Sequence, residues 1–389
     1  MHPQQIKANY GAAIHKLEAA LHSNPEVSFQ EREATRHIRE ALAPLGVSLL
    51  DLGMETGVVA KLRGQGEAPP IGLRADIDAI PQTEAVVRAD CSAHPGMMHA
   101  CGHDVHAASL FGAALALAAL PHGPAGDVYF IFQPGEETLG GAQAMLEHGL
   151  LSQAPISMLF GLHNTPALTV GKVGLLSGPC MSAKDDFILT MQGKGGHGGM
   201  PHRTVDPIVC AAAFISNAQT IVSRNIDPFD SAVVSVCSIH AGTKENLIVD
   251  QAVMTGSVRT FTPCARKTAL SRLQEIAQNT ASAFGCRAEL EIQHLVPALQ
   301  NDAALYPIAL QAAQAALGEV QVQPFSPCMA SEDFALFAQQ VPSFFYFLGS
   351  GFAGQENAPW HSPSFRAHPD TSCYGAALLY QSVICAQNS

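Results

Sequence analysis

The sequence has few charged residues and no long hydrophobic run. Its apolar stretches, such as FGAALALAAL at 111–120, are too short or too interrupted to span a bilayer, which takes about 20 apolar residues in a helix. The start, MHPQQIKANY, lacks a basic segment followed by an apolar one, so we expect no secretory signal. These absences predict a cytoplasmic protein without a membrane partner.

Positive charge is scarce as well. Of 389 residues, 14% are charged, the net charge is −12, and no basic run exceeds a few residues. Proteins that bind nucleic acid present a basic patch to the phosphates, so we expect no nucleic-acid partner. Apolar residues make up 47% of the chain, which is typical of a globular protein with a large core, and the length predicts two or three domains.

The ten cysteines do not have the pattern of a disulfide framework. They are scattered along a long chain, and Cys101 does not lie in a CxxCH haem-attachment motif, so we expect reduced and mostly buried thiols. What the sequence does have is the stretch MHACGHDVHAASL at 98–110, in which Cys101, His103, Asp104 and His106 lie within six positions. A metal site and an ordinary buried helix start are both compatible with that stretch.

Helical and strand-like patterns alternate in the first half of the chain. The strand-like runs lie at 56–64, 69–77, 127–134 and 156–164. They lack clean polar alternation, as expected for strands that are buried on both faces. Their alternation with helical segments predicts an α/β fold in a doubly wound layer architecture.

The pattern changes near residue 180. Residues 181–296 read, in order, as a strand, a helix, two strands, a helix and a strand, which is the order of a ferredoxin-like domain. We expect this segment to be inserted into a larger domain made of residues 1–180 and 297–389, whose first and last parts share one sheet.

Side chains that bind metals recur beyond the Cys-His stretch. Glu136 and Glu137 follow a strand in FQPGEETLGG, His163 ends a strand in FGLHNTP, and His361 lies in the loop NAPWHSPSF. Ligands gather at the carboxyl ends of strands in open α/β sheets, so we expect these motifs to converge with Cys101 and its neighbours. Imidazole, thiolate and carboxylate groups together suit zinc, manganese, cobalt or nickel.

Each of these features also has an ordinary interpretation. A Cys-x-His pair can be coincidence, adjacent glutamates usually lie on a solvated face, and a lone histidine is more often structural than a ligand. The joint occurrence at strand ends and in Gly/Pro turns favours a metal site. Two adjacent carboxylates then permit one to bind an ion while the other acts as a general base towards water.

The whole chain resembles the M20 metallopeptidase family, in the branch of N-acyl-amino-acid amidohydrolases, hippurate hydrolases and plant auxin-conjugate hydrolases. The matching motifs run in the family's order: GLRADIDAIP (72–81), MHACGHDVHAA (98–108), FQPGEE (132–137), GLHN (161–164), GKGGHGGMPH (193–202), ASEDFA (330–335) and His361. HACGHD together with PGEE at this spacing is the most specific part of the resemblance.

The resemblance implies a centre of two divalent metal ions per subunit, of manganese, zinc, cobalt or nickel. The implied metal ligands are Cys101, His103, Glu137, His163 and His361. Glu136 would be the general acid/base, and Asp78 would be a carboxylate that orients an imidazole ligand. Residues 1–180 and 297–389 would form the metal-binding catalytic domain, a mixed-sheet α/β domain of the phosphorylase/hydrolase-like kind.

The resemblance also assigns residues in the inserted segment. His197 would stabilise the oxyanion, in its own site or in the partner subunit's, and Asn246 and Arg259 would contact the substrate carboxylate. One departure is Val249, which stands where the family commonly has proline. Residues 181–296 would serve as a lid and as the dimerisation domain of a homodimer.

The expected activity is hydrolysis of the amide bond of N-acyl amino acids, hippurate among them, to a carboxylic acid and a free amino acid. Two alternatives remain open at this point. One is a dipeptidase or aminopeptidase of the same superfamily, and the other is a metal-binding protein that kept the fold without catalysis. The complete ligand set and the intact PGEE turn count against the second.

Overall fold

A computed structural model describes residues 1–85 and 91–389. Their contacts divide the chain into two compact units. Unit 1 comprises Met1–Gly178, Gln300–Ser326 and Asp333–Ser389, and unit 2 comprises Pro179–Leu299 and Pro327–Glu332. The domain limits inferred from the sequence, 1–180, 181–296 and 297–389, stay a prediction.

The helices and strands are as follows. The helices are α1 (Pro3–Ser23), α2 (Arg32–Leu42), α3 (His103–Ala118), α4 (Gly141–Glu147), α5 (Leu150–Gln153), α6 (Pro207–Thr220), α7 (Pro263–Ala283), α8 (Tyr306–Leu317), α9 (Phe334–Ala338) and α10 (Thr371–Ala386). The strands are β1 (Ser48–Leu50), β2 (Val58–Leu62), β3 (Ile71–Asp76), β4 (Val128–Gln133), β5 (Met158–Thr169), β6 (Val173–Leu175), β7 (Gly178–Met181), β8 (Ala183–Gln192), β9 (Gly196–His197), β10 (Ala232–His240), β11 (Leu247–Ile248), β12 (Gln251–Thr260), β13 (Arg287–Val296), β14 (Leu299–Asn301), β15 (Val322–Pro324) and β16 (Ser343–Gly351). Among the described residues, no helix combines the length and apolarity that a membrane crossing requires.

Unit 1 is built on a mixed sheet. In the described residues its eight strands lie in the order β1-β2-β4-β3-β5-β16-β6-β15. The central strands β4, β3, β5 and β16 run parallel, whereas β2 pairs antiparallel with β4 and β1 with β2. Strands β3, β4 and β16 are buried along their whole length, which explains their continuous apolar sequences. The predicted α/β class with a mixed sheet is confirmed.

Helix α3 lies against both the first and the last helix of unit 1, α1 and α10. Small residues let these helices approach closely. A Cβ atom on Gly112 would lie 2.6 Å from Ala376 Cβ and 2.7 Å from Ile14 Cδ1. Nearly all of α3 is buried, so its N-terminus at His103 is held by packing on several sides.

Unit 2 contains β8, α6, β10, β12, α7 and β13 in chain order, and its antiparallel sheet has the order β10-β12-β8-β13. Alternate residues of β8 are buried, among them Phe187, Leu189 and Met191. They pack with Phe214 of α6 and Leu273 of α7 into a separate core. The period of two in the sequence of β8 therefore reflects one face covered by helices.

Candidate metal centre

The chain turns sharply just before α3. Gly102 has a φ of 85°, a conformation in which a glycine is unstrained. A Cβ atom at this position would lie 2.4 Å from Asn164 Nδ2. Glycine is therefore needed both for the backbone and for the close approach, and its two neighbours, Cys101 and His103, reach the same place.

Cys101, His103 and His163 each offer a ligand-type atom within 4.8 Å of the others, and all three are buried. Cys101 Sγ lies 3.3 Å from His163 Nε2. His163 Nδ1 donates a hydrogen bond to the carbonyl oxygen of Asn164 at 2.7 Å. A neutral His163 ring therefore carries its hydrogen on Nδ1, which leaves Nε2 with the lone pair that a metal ligand needs.

His103 and Glu137 hold two buried polar atoms that have no hydrogen-bond partner among the described residues. His103 Nδ1 donates to Asp78 Oδ1 at 3.0 Å, so a neutral His103 ring has its lone pair on Nε2. That Nε2 and Glu137 Oε1 lie 3.9 Å apart, and both are buried and unpaired. Buried polar atoms without a hydrogen-bond partner are costly, and a cation that lies near both atoms would remove that cost. The side chains present therefore fit a divalent metal ion.

The two glutamates lie in a tight turn after β4. Gly135, just before them, has a φ of 70°, and Glu137 N donates to Asp78 Oδ2 at 2.9 Å. Glu136 is buried, and it places a carboxylate oxygen within 4.8 Å of ligand-type atoms of both His103 and Glu137. Asp78 thus contacts both the His103 ring and the turn that presents the carboxylates.

His361 reaches the same place from the C-terminal part of the chain. Its backbone N–H donates to Ala100 O at 2.9 Å, and its φ of 61° is uncommon for a residue with a side chain. His361 Nε2 lies 3.4 Å from Glu137 Oε2, and His361, Glu137 and Cys101 form a further group of ligand-type atoms within 4.8 Å. All five residues that the sequence analysis named as ligands therefore meet.

The protonation of these groups depends on their surroundings. Burial raises the pKa of the Cys101 thiol, and the Glu137 carboxylate adds to this effect, so the helix start does not by itself make a thiolate. Burial lowers the pKa of His163 well below its usual range. Hydrogen bonds to Cys101 and Glu137 raise the pKa of His361 to about 10. Without an ion, Cys101 and His361 thus retain protons that metal binding would displace.

The three remaining predicted residues lie in unit 2. His197, on β9, and Asn246, beside β11, are both exposed, and Gly198 N donates to Asn246 O at 2.9 Å. Arg259, on β12, is half-buried; its Nη1 donates to Met329 O at 2.7 Å and to Ser331 Oγ at 3.1 Å.

One local prediction was wrong, and one set of residues was missed. His163 lies inside β5 and not at its end, because β5 continues to Thr169 beside β16. The missed residues are Asn164 and Asp76, and His106 was named in its stretch without a role; all three are fully buried and hydrogen-bonded around the centre. All three lie inside motifs that the sequence analysis quoted, and that position was the available signal.

Comparison with known proteins agrees with this geometry. A profile described as peptidase family M20/M25/M40 matches residues 72–384. The chain is 42% identical over 346 residues to an N-acetylcysteine deacetylase of Bacillus subtilis (strain 168), with 89% of each chain covered. It is 35% identical over 367 residues to an IAA-amino acid hydrolase of Arabidopsis thaliana, with 93% of this chain and 82% of the relative covered. A solved structure of a dinuclear metal-binding peptidase from the M20 family, from Bacillus subtilis, superposes with a TM-score of 0.85 at 36% identity, over 96% of this chain and 98% of that one.

Proposed function

Because this chain belongs to peptidase family M20/M25/M40, we propose that it hydrolyses the amide bond of N-acyl amino acids and releases a carboxylic acid and a free amino acid. The observation that carries the proposal is the pair of buried, unpaired atoms His103 Nε2 and Glu137 Oε1 beside the Cys101 thiol. The substrate class is supported by the relatives named for N-acetylcysteine and for IAA-amino acids. Hippurate belongs to the same chemical class.

The enzyme is a metal-dependent hydrolase with two divalent ions. The proposed ligands are Cys101, His103, Glu137, His163 and His361. When bound, the ions polarise the acyl carbonyl, acidify the attacking water and hold the negative charge that develops on oxygen. Asp78 keeps the hydrogen of His103 on Nδ1, so that Nε2 is the atom available to an ion.

Glu136 is the proposed general acid/base. Its carboxylate lies beside the ligand group without being one of the five proposed ligands. It accepts a proton from the attacking water as the C–O bond forms, and it gives that proton to the leaving nitrogen as the C–N bond breaks. The amine therefore leaves as a neutral group.

Residues of unit 2 have proposed roles in binding and charge stabilisation. His197 Nδ1 accepts a hydrogen bond from Gly199 N at 3.0 Å, so a neutral His197 ring has a hydrogen on Nε2 to donate to the oxyanion. Such a donor contributes about 3 kcal/mol in other hydrolases. Asn246 and Arg259 are assigned to the substrate carboxylate, for which a guanidinium fork is suited.

Unit 2 is further proposed to be a ferredoxin-like lid and dimerisation domain. The order of its strands and helices supports a ferredoxin-like topology. Strand β10 lies at one edge of its sheet, and an edge strand offers unpaired backbone groups to a second copy. Light scattering of the purified protein tests the homodimer; a monomer at micromolar concentration would contradict it.

The test of the function is a panel of N-acyl amino acids that includes hippurate and N-acetylcysteine. The protein is chelated, assayed, and assayed again after addition of Mn²⁺, Zn²⁺, Co²⁺ or Ni²⁺. We expect release of free amino acid only after metal is restored. Activity of the fully chelated protein would contradict the metal-dependent chemistry, and silence on every blocked substrate would contradict the substrate class.

A peptidase is the second candidate, because the similar solved structure is that of a dinuclear metal-binding peptidase. Dipeptides with a free amino group therefore belong in the same panel. Cleavage of these dipeptides without cleavage of N-acyl amino acids would show that the protein is a peptidase and not an N-acyl-amino-acid amidohydrolase.

A further inference from the structure

Asn164 is fully buried in β5 and is hydrogen-bonded to three segments that carry proposed ligands. Its Nδ2 donates to the carbonyl oxygen of Cys101 at 2.6 Å. Its own carbonyl oxygen accepts from His163 Nδ1 at 2.7 Å and from Trp360 Nε1 at 3.0 Å. Since Trp360 directly precedes His361, one residue connects Cys101, His163 and the loop of His361.

The orientation of the Asn164 amide is fixed by its neighbours. Oδ1 accepts from Ser350 Oγ at 2.9 Å, so the amide nitrogen must face the other way, towards Cys101 O and His106 Nε2. The backbone N–H of Asn164 also donates to His106 Nε2, at 2.9 Å. His106 Nδ1 donates in turn to Asp76 Oδ1 at 2.6 Å.

The chain of hydrogen bonds explains why His106 is not among the proposed ligands. Both ring nitrogens are occupied, Nδ1 by the Asp76 carboxylate and Nε2 by the N–H groups of Asn164. Asp76 is itself held by Arg74, whose Nη1 donates to Asp76 Oδ2 at 2.8 Å. Arg74, Asp76, His106 and Asn164 are all fully buried, so water does not compete for these contacts.

We propose that Asn164 is a positioning residue, which holds Cys101 Sγ and His163 Nε2 in their ligand positions before an ion binds. The inference rests on the metal-dependent function proposed above. It also accounts for Gly102, because a side chain at that position would occupy the place of the Asn164 amide. Outer partners of metal ligands typically change metal affinity by 10- to 100-fold when they are removed.

The test is the variant Asn164→Asp, which keeps the size of the side chain and loses both Nδ2 hydrogen atoms. The matched control is Asn301→Asp. Asn301 is also buried in unit 1, and its Nδ2 donates to Leu176 O and Phe345 O, both at 3.0 Å, away from the ligands. A merely structural role predicts similar effects for the two variants.

The probe is Co²⁺, added to the chelated full-length protein and followed by calorimetry and by the thiolate-to-cobalt absorption band. We expect Asn164→Asp to raise the Kd for Co²⁺ by about 10- to 100-fold and to shift or remove that band. We expect Asn301→Asp to leave the Kd within about threefold of the wild-type value, since it touches no ligand segment. Equal Co²⁺ affinity and an unchanged band in Asn164→Asp would overturn the proposal.

A second variant covers the case in which Asn164→Asp does not fold, as judged by circular dichroism. Ser350→Ala removes only the hydroxyl that donates to Asn164 Oδ1, so the amide is no longer held with its Nδ2 towards Cys101 O. A Kd raised more than about threefold supports the positioning role, and an unchanged Kd overturns it. Failure of the wild-type protein itself to bind Co²⁺ would overturn the metal-dependent function, and is thereby distinguished from failure of this inference.

Discussion

Glu136 and Glu137 are adjacent residues with different proposed tasks. We expect Glu136→Gln to bind both ions and to lose about 10²- to 10⁴-fold in kcat, because the amide cannot accept the proton of the attacking water. Glu137→Gln is the matched control, and we expect it to lose metal, since the Glu137 carboxylate is a proposed ligand. Metal content by mass spectrometry and kcat with an N-acyl amino acid measure the two effects. Near wild-type turnover in Glu136→Gln would show that Glu136 is not the general acid/base.

Glu31 is a fully buried carboxylate near the same turn. Its Oε1 accepts from Gly135 N at 2.8 Å, and its Oε2 has no hydrogen-bond partner among the described residues. Burial, with a contribution from Asp78, raises the pKa of Glu31 from 4.5 to about 7. Between these two values the folded chain binds more protons than the unfolded chain, so this group makes the free energy of unfolding fall as pH rises from about 4.5 to 7, by at most about 3 kcal/mol.

We therefore expect Glu31→Gln to flatten the pH dependence of stability over that window. The measurement is urea unfolding of the chelated protein at pH 5 and at pH 7.5. Glu40→Gln, an exposed change in α2, the helix that follows Glu31, serves as the control and should leave the slope as it is. A wild-type slope retained in Glu31→Gln would contradict the assignment.

Gly102 combines a positive φ with a close neighbour. We expect Gly102→Ala to destabilise the protein and to weaken metal binding, because the new Cβ would meet Asn164 Nδ2 at 2.4 Å. Gly46→Ala is the matched control: its φ is also positive, at 70°, and nothing lies within 4 Å of its Cβ position. The backbone penalty, about 1–2 kcal/mol, is common to both, so the difference in thermal unfolding isolates the close approach. Equal destabilisation of the two variants would show that the Asn164 side chain moves aside without a measurable loss of stability.

The sequence indicated the residues that meet at the proposed centre better than the residues that support them. Cys101, Glu137 and His361 stand in motifs rich in glycine or proline, where a metal-binding side chain is unusual enough to be noticed. Asn164 and Asp76 lie in buried strands, and no local pattern distinguishes a buried polar residue that supports a ligand from one that supports only the fold. Their partners are distant in sequence and become visible only when the strands are paired.

At the scale of single elements, the N-terminus of α6 has a side-chain cap. Asp206 Oδ1 accepts from Ile208 N at 2.9 Å and from Val209 N at 3.4 Å. We expect Asp206→Ala to lower the free energy of unfolding of unit 2 by about 1 kcal/mol, and Asp206→Asn to lower it by much less, because asparagine caps equally well. Denaturant unfolding measures both. Equal losses would mean that the carboxylate acts through its charge and not through the cap.

Elements were predictable from the sequence where they were long and periodic. Along β8, buried side chains alternate with more exposed ones, and α3 is apolar enough to be buried. Both elements correspond to patterns in the sequence. The three-residue strands β6 and β15 were not predicted, because they are defined by their pairing with each other, Val322 opposite Val173, and not by any local period. The extension of β5 beyond His163 has the same cause, since β16 continues beside it to Gly351.

At the scale of the whole molecule, the proposed ligands all belong to unit 1. Ion binding at about 100 times the Kd stabilises a folded protein by about 2.7 kcal/mol. We expect removal of metal to accelerate hydrogen exchange at the start of α3 and in the turn after β4, while exchange in β8 and β12 stays unchanged. Mass spectrometry of the two forms after deuterium labelling measures this. Equal acceleration in both units would contradict a centre held by unit 1.

The position of α3 between the first and the last helices has a consequence for synthesis. The ribosome completes α3 at Ala118, yet one of the surfaces against which it packs, α10, ends only at Ala386. At about 5–20 residues per second, the interval is roughly 15 to 50 s. During that time α3, which is almost wholly buried in the folded protein, is made without its last packing partner. Nascent chains stalled before residue 371 should therefore be substrates for chaperones and unable to retain metal.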